Sequence, residues 1–76
     1  MKELLIHIAK NLVDEPALVE VIEEEDENGA ILLRLKVAQD DMGKVIGKQG
    51  RIARAIRSLI KAAAITSGKR VSVEIK

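Results

Sequence analysis

The sequence predicts a two-layer α+β sandwich, in which helices cover one face of a three-stranded mixed sheet. Three observations point to it. Apolar residues recur at helical spacing in some stretches and alternate with polar residues in others. Those stretches follow one another in the order α-β-β-α-α-β. Each strand carries one strongly apolar side, so a single layer of helices suffices to bury it. The chain has 76 residues, and no linker, repeat or low-complexity segment divides it. A single domain over 1–76 is expected, near the lower size at which a core alone holds a fold.

The first helix is expected over 3–13. Leu4, Ile8 and Leu12 recur at i, i+4 and i+8, and Leu5, Ala9 and Val13 widen the stripe. Pro16 disfavours helical geometry at Glu15 and ends it. Residues 17–24 read as a strand, with β-branched Val19, Val21 and Ile22. Asn28-Gly29 marks a hairpin turn, since both residues accept a positive φ. The second strand, Ala30 to Val37, puts Ile31, Leu33, Leu35 and Val37 on one side and Arg34 and Lys36 on the other. Asp40 or Asp41 is an N-cap for a short helix from Met42 to Ile46.

A longer helix is expected from about Arg51 to Ser67. Projected at 100° per residue, Ile52, Ala55, Ile56, Leu59, Ala62 and Ala63 form its apolar face. Arg54, Arg57, Ser58 and Lys61 lie opposite, Ile65 falls on the polar side, and Ile60 and Ala64 lie at the border. Gly68 is a helix-ending signal. The last strand, Val71 to Ile75, arrives through a helical crossover, which suits a parallel partner.

Composition excludes several function classes. There is no Cys, so a disulfide framework or thiolate metal site is unavailable. His7 alone cannot build a zinc site, and no cofactor is expected. Ser58, Thr66, Ser67 and Ser72 have no histidine companion other than His7, so an enzyme is not expected. The acidic run Glu23 to Glu27 lacks the spacing of a calcium loop. No apolar run is long enough for a membrane span, and the charged start after Met1 reads as cytoplasmic. Phe, Tyr and Trp are absent, which removes base stacking on aromatic rings.

The net charge of +1 hides a strong segregation. Residues 1–42 hold four bases and eleven acids, a net of −7, while residues 43–76 hold nine bases and one acid, a net of +8. Such a molecule presents its basic half to a polyanion. The stretch 42–61 concentrates that half. Gly47 and Gly50 bracket Lys48 and Gln49, and the basic helix starts at once. Glycines let the backbone take a positive φ and let another backbone come close. The unpaired N–H groups and the positive dipole end of the helix point back at the loop, which is an anion site. A nucleotide P-loop is excluded. Gly43 and Gly47 enclose three residues where that motif has four, and Gln49 stands where a magnesium-binding hydroxyl is needed.

The run Val45-Ile46-Gly47-Lys48-Gln49-Gly50-Arg51-Ile52 resembles the V-I-G-x-x-G signature of the KH domain family. The element order is that of its type II, prokaryotic form. The phrases Lys10-Asn11-Leu12-Val13-Asp14-Glu15-Pro16 and Asp40 to Arg51 are similar to those of the small bacterial single-KH proteins. The resemblance implies RNA binding, with the loop clamping about four single-stranded nucleotides. On that reading the amides around Lys48 to Arg51 face the phosphates, and Lys44, Arg51 and Arg54 flank the strand. The bases lie in a groove between the helices and the second strand, with Val45, Ile46 and Ile52 as its floor. The family also implies a homodimer, or pairing with a larger KH protein of the Jag (KhpB) type, with roles in RNA chaperoning and cell shape. Ile60, Ala64 and Ile65 are the expected interface.

Overall fold

The computed structural model describes residues 1–75. Helix α1 spans Lys2–Lys10, strands β1 and β2 span Glu20–Glu25 and Ile31–Lys36, helices α2 and α3 span Met42–Ile46 and Arg51–Thr66, and β3 spans Val71–Ile75. Short 3-10 turns occupy Pro16–Leu18, Gln39–Asp41 and Lys48–Gly50. The sheet order is β1-β2-β3, with β1 antiparallel and β3 parallel to the central β2. The helical crossover through α2 and α3 delivers β3 parallel, as expected. No helix among the described residues is long and apolar enough to cross a membrane.

The core joins the two layers. Val21, Leu33 and Leu35 from the sheet meet Leu5, Ala9, Val45, Ile56 and Ile60 from the helices. Leu33 and Leu35 alternate on one side of β2, and Val71, Val73 and Ile75 pack partly buried beside them. Burying a branched aliphatic side chain of this kind contributes about 1.5–3 kcal/mol.

Several expectations need correction. First, α1 ends at Lys10, not Val13. Asn11 donates its side-chain amide to the His7 carbonyl at 2.7 Å, and Leu12 and Val13 turn back onto the core. Second, β1 begins at Glu20, because Pro16, with its preset φ, starts a 3-10 turn. Third, only Gly29 of the hairpin pair has a positive φ, +81°. The Asp26 carboxylate accepts the N–H groups of Asn28 and Ala30 at 2.8 and 3.0 Å, so a side-chain-braced turn replaces a two-residue one.

Fourth, α3 is rotated from the predicted face by about one residue's step. Ala53, Ile56, Ile60 and Ala64 are buried, while Leu59 is 57% exposed. The small Ala53 and Ala64 let the helix lie close to the sheet. Ile60 and Ala64 are therefore core, at 0% and 1% exposure, and present nothing to a partner. Of the three expected interface residues, Ile65 alone is exposed. A turn at Gly68 ends α3, with the Lys69 N–H donating to the Ala64 carbonyl and the Gly68 N–H to that of Ile65.

Asp41 sits at the predicted N-cap position of α2 but does not cap it. Its carboxylate is buried and accepts the N–H groups of Asp14 and Glu15 at 3.3 and 3.1 Å. The Lys44 ammonium bonds both Asp14 and Asp41. These contacts tie the α1–β1 link to α2, immediately before the glycine loop. Burial pushes the Asp41 carboxyl up, but the two N–H groups and the ammonium outweigh it and leave it below the usual 3.8. A carboxyl lowered in the folded state contributes stability above its unfolded value and loses it as pH falls through the folded one. Asp41→Asn therefore lowers the urea midpoint at pH 7, and the difference from wild type closes once the pH falls well below 3.8. Equal midpoints at pH 7 would remove Asp41 from the list of anchors.

Candidate nucleic-acid interface

The loop between α2 and α3 is built by two glycines with different tasks. Gly47 closes α2, its N–H donating to the Gly43 carbonyl at 2.8 Å. Its φ of +74° and ψ of 174° lie in a region that is essentially glycine-only. A Cβ there would stand 2.5 Å from Ile52 Cγ1. Gly47 thus allows Ile52 to pack under the loop. Gly50 has φ +74° and ψ 15°, and nothing lies within 4 Å of where its Cβ would be. The space beside Gly50 faces outward and is open to a ligand.

Between them, Lys48 and Gln49 are exposed. Gln49 is held left-handed at φ 57°. The Arg54 guanidinium donates to the Gln49 carbonyl at 2.8 Å and braces the loop. Helix α3 has no side-chain N-cap and no acid in its first turn. The Gly50 and Arg51 N–H groups donate to the Gly47 and Lys48 carbonyls within the loop, so what this end of α3 offers an anion is the positive end of its dipole with no acid opposing it. Arg51 and Lys48 make no side-chain hydrogen bond or ion pair among the described residues.

The structure brings Gly47, Lys48, Gln49, Gly50, Arg51 and Arg54 together. It separates the other expected residues. Lys44 is engaged with Asp14 and Asp41; the hydrogen bond to Asp14, against the cost of burial and with help from Asp41, raises its ammonium above the usual 10.5. Val45 is fully buried in the core. Ile46, 37% exposed, and half-buried Ile52 remain as the apolar surface near the loop.

The expected groove beside the second strand is also displaced. Strand β2 is central, so both its edges are taken. The free edge beside α3 belongs to β3, and Arg57 reaches across to it, Nε donating to the Val73 carbonyl at 3.3 Å. Arg57 was not singled out from sequence. Its signal is the spacing of Arg54, Arg57 and Lys61 at i, i+3 and i+7, which sets a basic row along one helix face. Among the described residues no group of His, Cys, Asp or Glu could hold a metal ion.

Comparison with known proteins agrees with this architecture. The KhpA/KhpB KH-domain family matches residues 2–75. The RNA-binding protein KhpA of Clostridium acetobutylicum is 64% identical over 75 residues, covering 99% of either chain. Its namesake in Bacillus subtilis is 49% identical, covering 99% of this chain and 91% of its own. These relatives are named for RNA binding and not as enzymes, in line with the non-enzymatic reading. Among solved structures, Aquifex aeolicus Era bound to GDP and aluminium fluoride superposes with a TM-score of 0.58 at 19% identity, over 97% of this chain and 28% of that longer one. Era in complex with MgGDPNP and nucleotides 1506–1542 of 16S ribosomal RNA gives 0.59 at 19% identity. At that identity the likeness is one of fold. By sequence match and by element order, the chain belongs to the KhpA/KhpB family of KH domains.

Proposed function

We propose that this chain is a non-enzymatic RNA-binding protein that clamps about four nucleotides of single-stranded RNA at the Gly47–Gly50 loop. The observation that carries this reading is the empty space beside Gly50. Gly50 is required for its left-handed φ of +74° and not for packing, so the room beside it stays open at the start of the basic helix. Beside it lie the positive end of the α3 dipole and the charges of Lys48, Arg51 and Arg54, where a phosphate backbone fits. The names of the relatives support the RNA-binding part of this reading.

In the fuller form of the proposal the whole chain acts as one KH domain, dimerises, and serves as a cytoplasmic RNA chaperone. Leu59 and Ile65, 57% and 68% exposed on α3, are the side chains available for a second copy or for a larger Jag-type KH partner. Pairing two loops would raise avidity for longer RNA.

Fluorescence anisotropy of a labelled single-stranded RNA across a salt series tests the clamp. Each neutralised phosphate contributes a slope of about −0.7, so four contacts give about −3 in log K against log salt. A flat salt dependence, or no binding at high protein concentration, rejects the clamp.

A further inference from the structure

We propose that an RNA strand held at the Gly47–Gly50 loop makes a second phosphate contact at the far end of α3, in a basic cleft between that helix and β3. The proposal rests on the clamp reading and extends its footprint. The cleft has a volume of about 210 Å³ and lies where α3 ends and β3 begins. Lys61, Lys69 and Arg70 line it, with Ile65, Val71 and Ser72 beside them and no carboxylate among the described residues. None of the three cationic side chains makes a hydrogen bond or ion pair among the described residues. The chain carries twelve acids, yet none of them is among the described residues that line this hollow with the three like charges. A hollow of about 320 Å³ elsewhere has the opposite sign, lined by Glu24, Glu25 and Asp26.

The fold connects the cleft to the loop. Gly68, at φ +71°, turns the chain so that Lys69 and Arg70 come back against the last turns of α3. Arg54, bonded to the loop, begins a row that continues through Arg57, at the free edge of β3, to Lys61 in the cleft. At about 1.5 Å per residue the 16 residues of α3 span about 24 Å. A stacked strand advances about 3.4 Å per phosphate. Four nucleotides then cover about 14 Å from the loop, and about seven reach the cleft. Ile65 and Val71 offer an apolar wall to a base, and the three cations face its phosphate.

The test compares four- and ten-nucleotide single-stranded RNAs on wild type and on the Lys61→Ala/Lys69→Ala/Arg70→Ala variant, with the thermal midpoint as the check on folding. The variant is expected to bind the ten-nucleotide strand about tenfold more weakly, with a salt slope shallower by about 0.7 for the one phosphate no longer neutralised. Its affinity for the four-nucleotide strand falls by no more than about threefold, because that strand ends about 10 Å short of the far end of α3, more than the Debye length of about 8 Å, and only Lys61, about 15 Å along the helix from Arg51, lies near its end. Unchanged affinity for the longer strand overturns the second contact, as does an equal loss for both lengths. Absence of wild-type binding to either strand overturns the clamp itself, and this proposal with it.

Discussion

Lys48→Asp/Gln49→Asp leaves the fold intact and abolishes RNA binding. Both side chains are exposed and bond to nothing among the described residues, so the thermal midpoint is expected to move little. Asp is tolerated at the left-handed Gln49 position, and carboxylates near a helix N-terminus are favourable. That same favourable placement is what defeats the ligand. The new carboxylates repel a phosphate and occupy the positive end of the α3 dipole that the phosphate needs. Losing two charge-assisted hydrogen bonds, at about 1.5–3 kcal/mol each, weakens binding at least about a hundredfold. Lys48→Ala/Gln49→Ala, which removes charge without adding a competitor, falls between wild type and the Asp pair. If the Asp pair binds within about threefold of wild type, the loop is not the RNA site.

The second large effect separates the two glycines. Gly47→Ala places a Cβ 2.5 Å from Ile52 in a conformation reserved for glycine. Backbone strain costs about 1–3 kcal/mol and overpacking a similar amount. A domain of this length has about 4–11 kcal/mol in total, so the variant is expected to lose much of its stability in urea denaturation. Adding Ile52→Ala relieves the clash but not the backbone, and restores only part. Gly50→Asn meets no neighbour and keeps a residue type that tolerates the left-handed region. It is expected to fold with a near wild-type midpoint and to bind RNA poorly, its side chain standing where the backbone of the ligand approaches. A destabilised Gly50→Asn that still binds would reverse these assignments.

The existence of each strand, the glycine loop and the limits of α2, α3 and β3 were legible because their signals are local. Alternation in Ile31 to Val37, the pair Gly47 and Gly50, and the stop at Gly68 each act within a few residues. What was not legible depends on contacts across the chain. Asp41 reads as a cap from its neighbours, but its N–H partners, Asp14 and Glu15, lie 27 and 26 residues away. Lys44 reads as a free cation beside the loop, and the same distant Asp14 engages it. Helix α3 is apolar over more than half its circumference, so periodicity alone could not choose between a face centred on Leu59 and one centred on Ile56 and Ile60. That choice, made by packing, removed Ile60 and Ala64 from the expected interface and exposed Leu59 instead.

The two outer strands give the molecule a direction as it approaches a ligand. Glu23, Glu24 and Glu25 lie on β1, at one edge of the sheet, and the basic row of α3 lies along β3, at the other. In the field of a polyanion this arrangement produces a torque, which turns the acidic edge away before contact. Encounters then begin in the productive orientation instead of being sorted from random collisions, and steering of this kind raises association rates by about 10–1000-fold at low salt. The acidic edge thereby contributes to how quickly RNA is captured, although it never touches it.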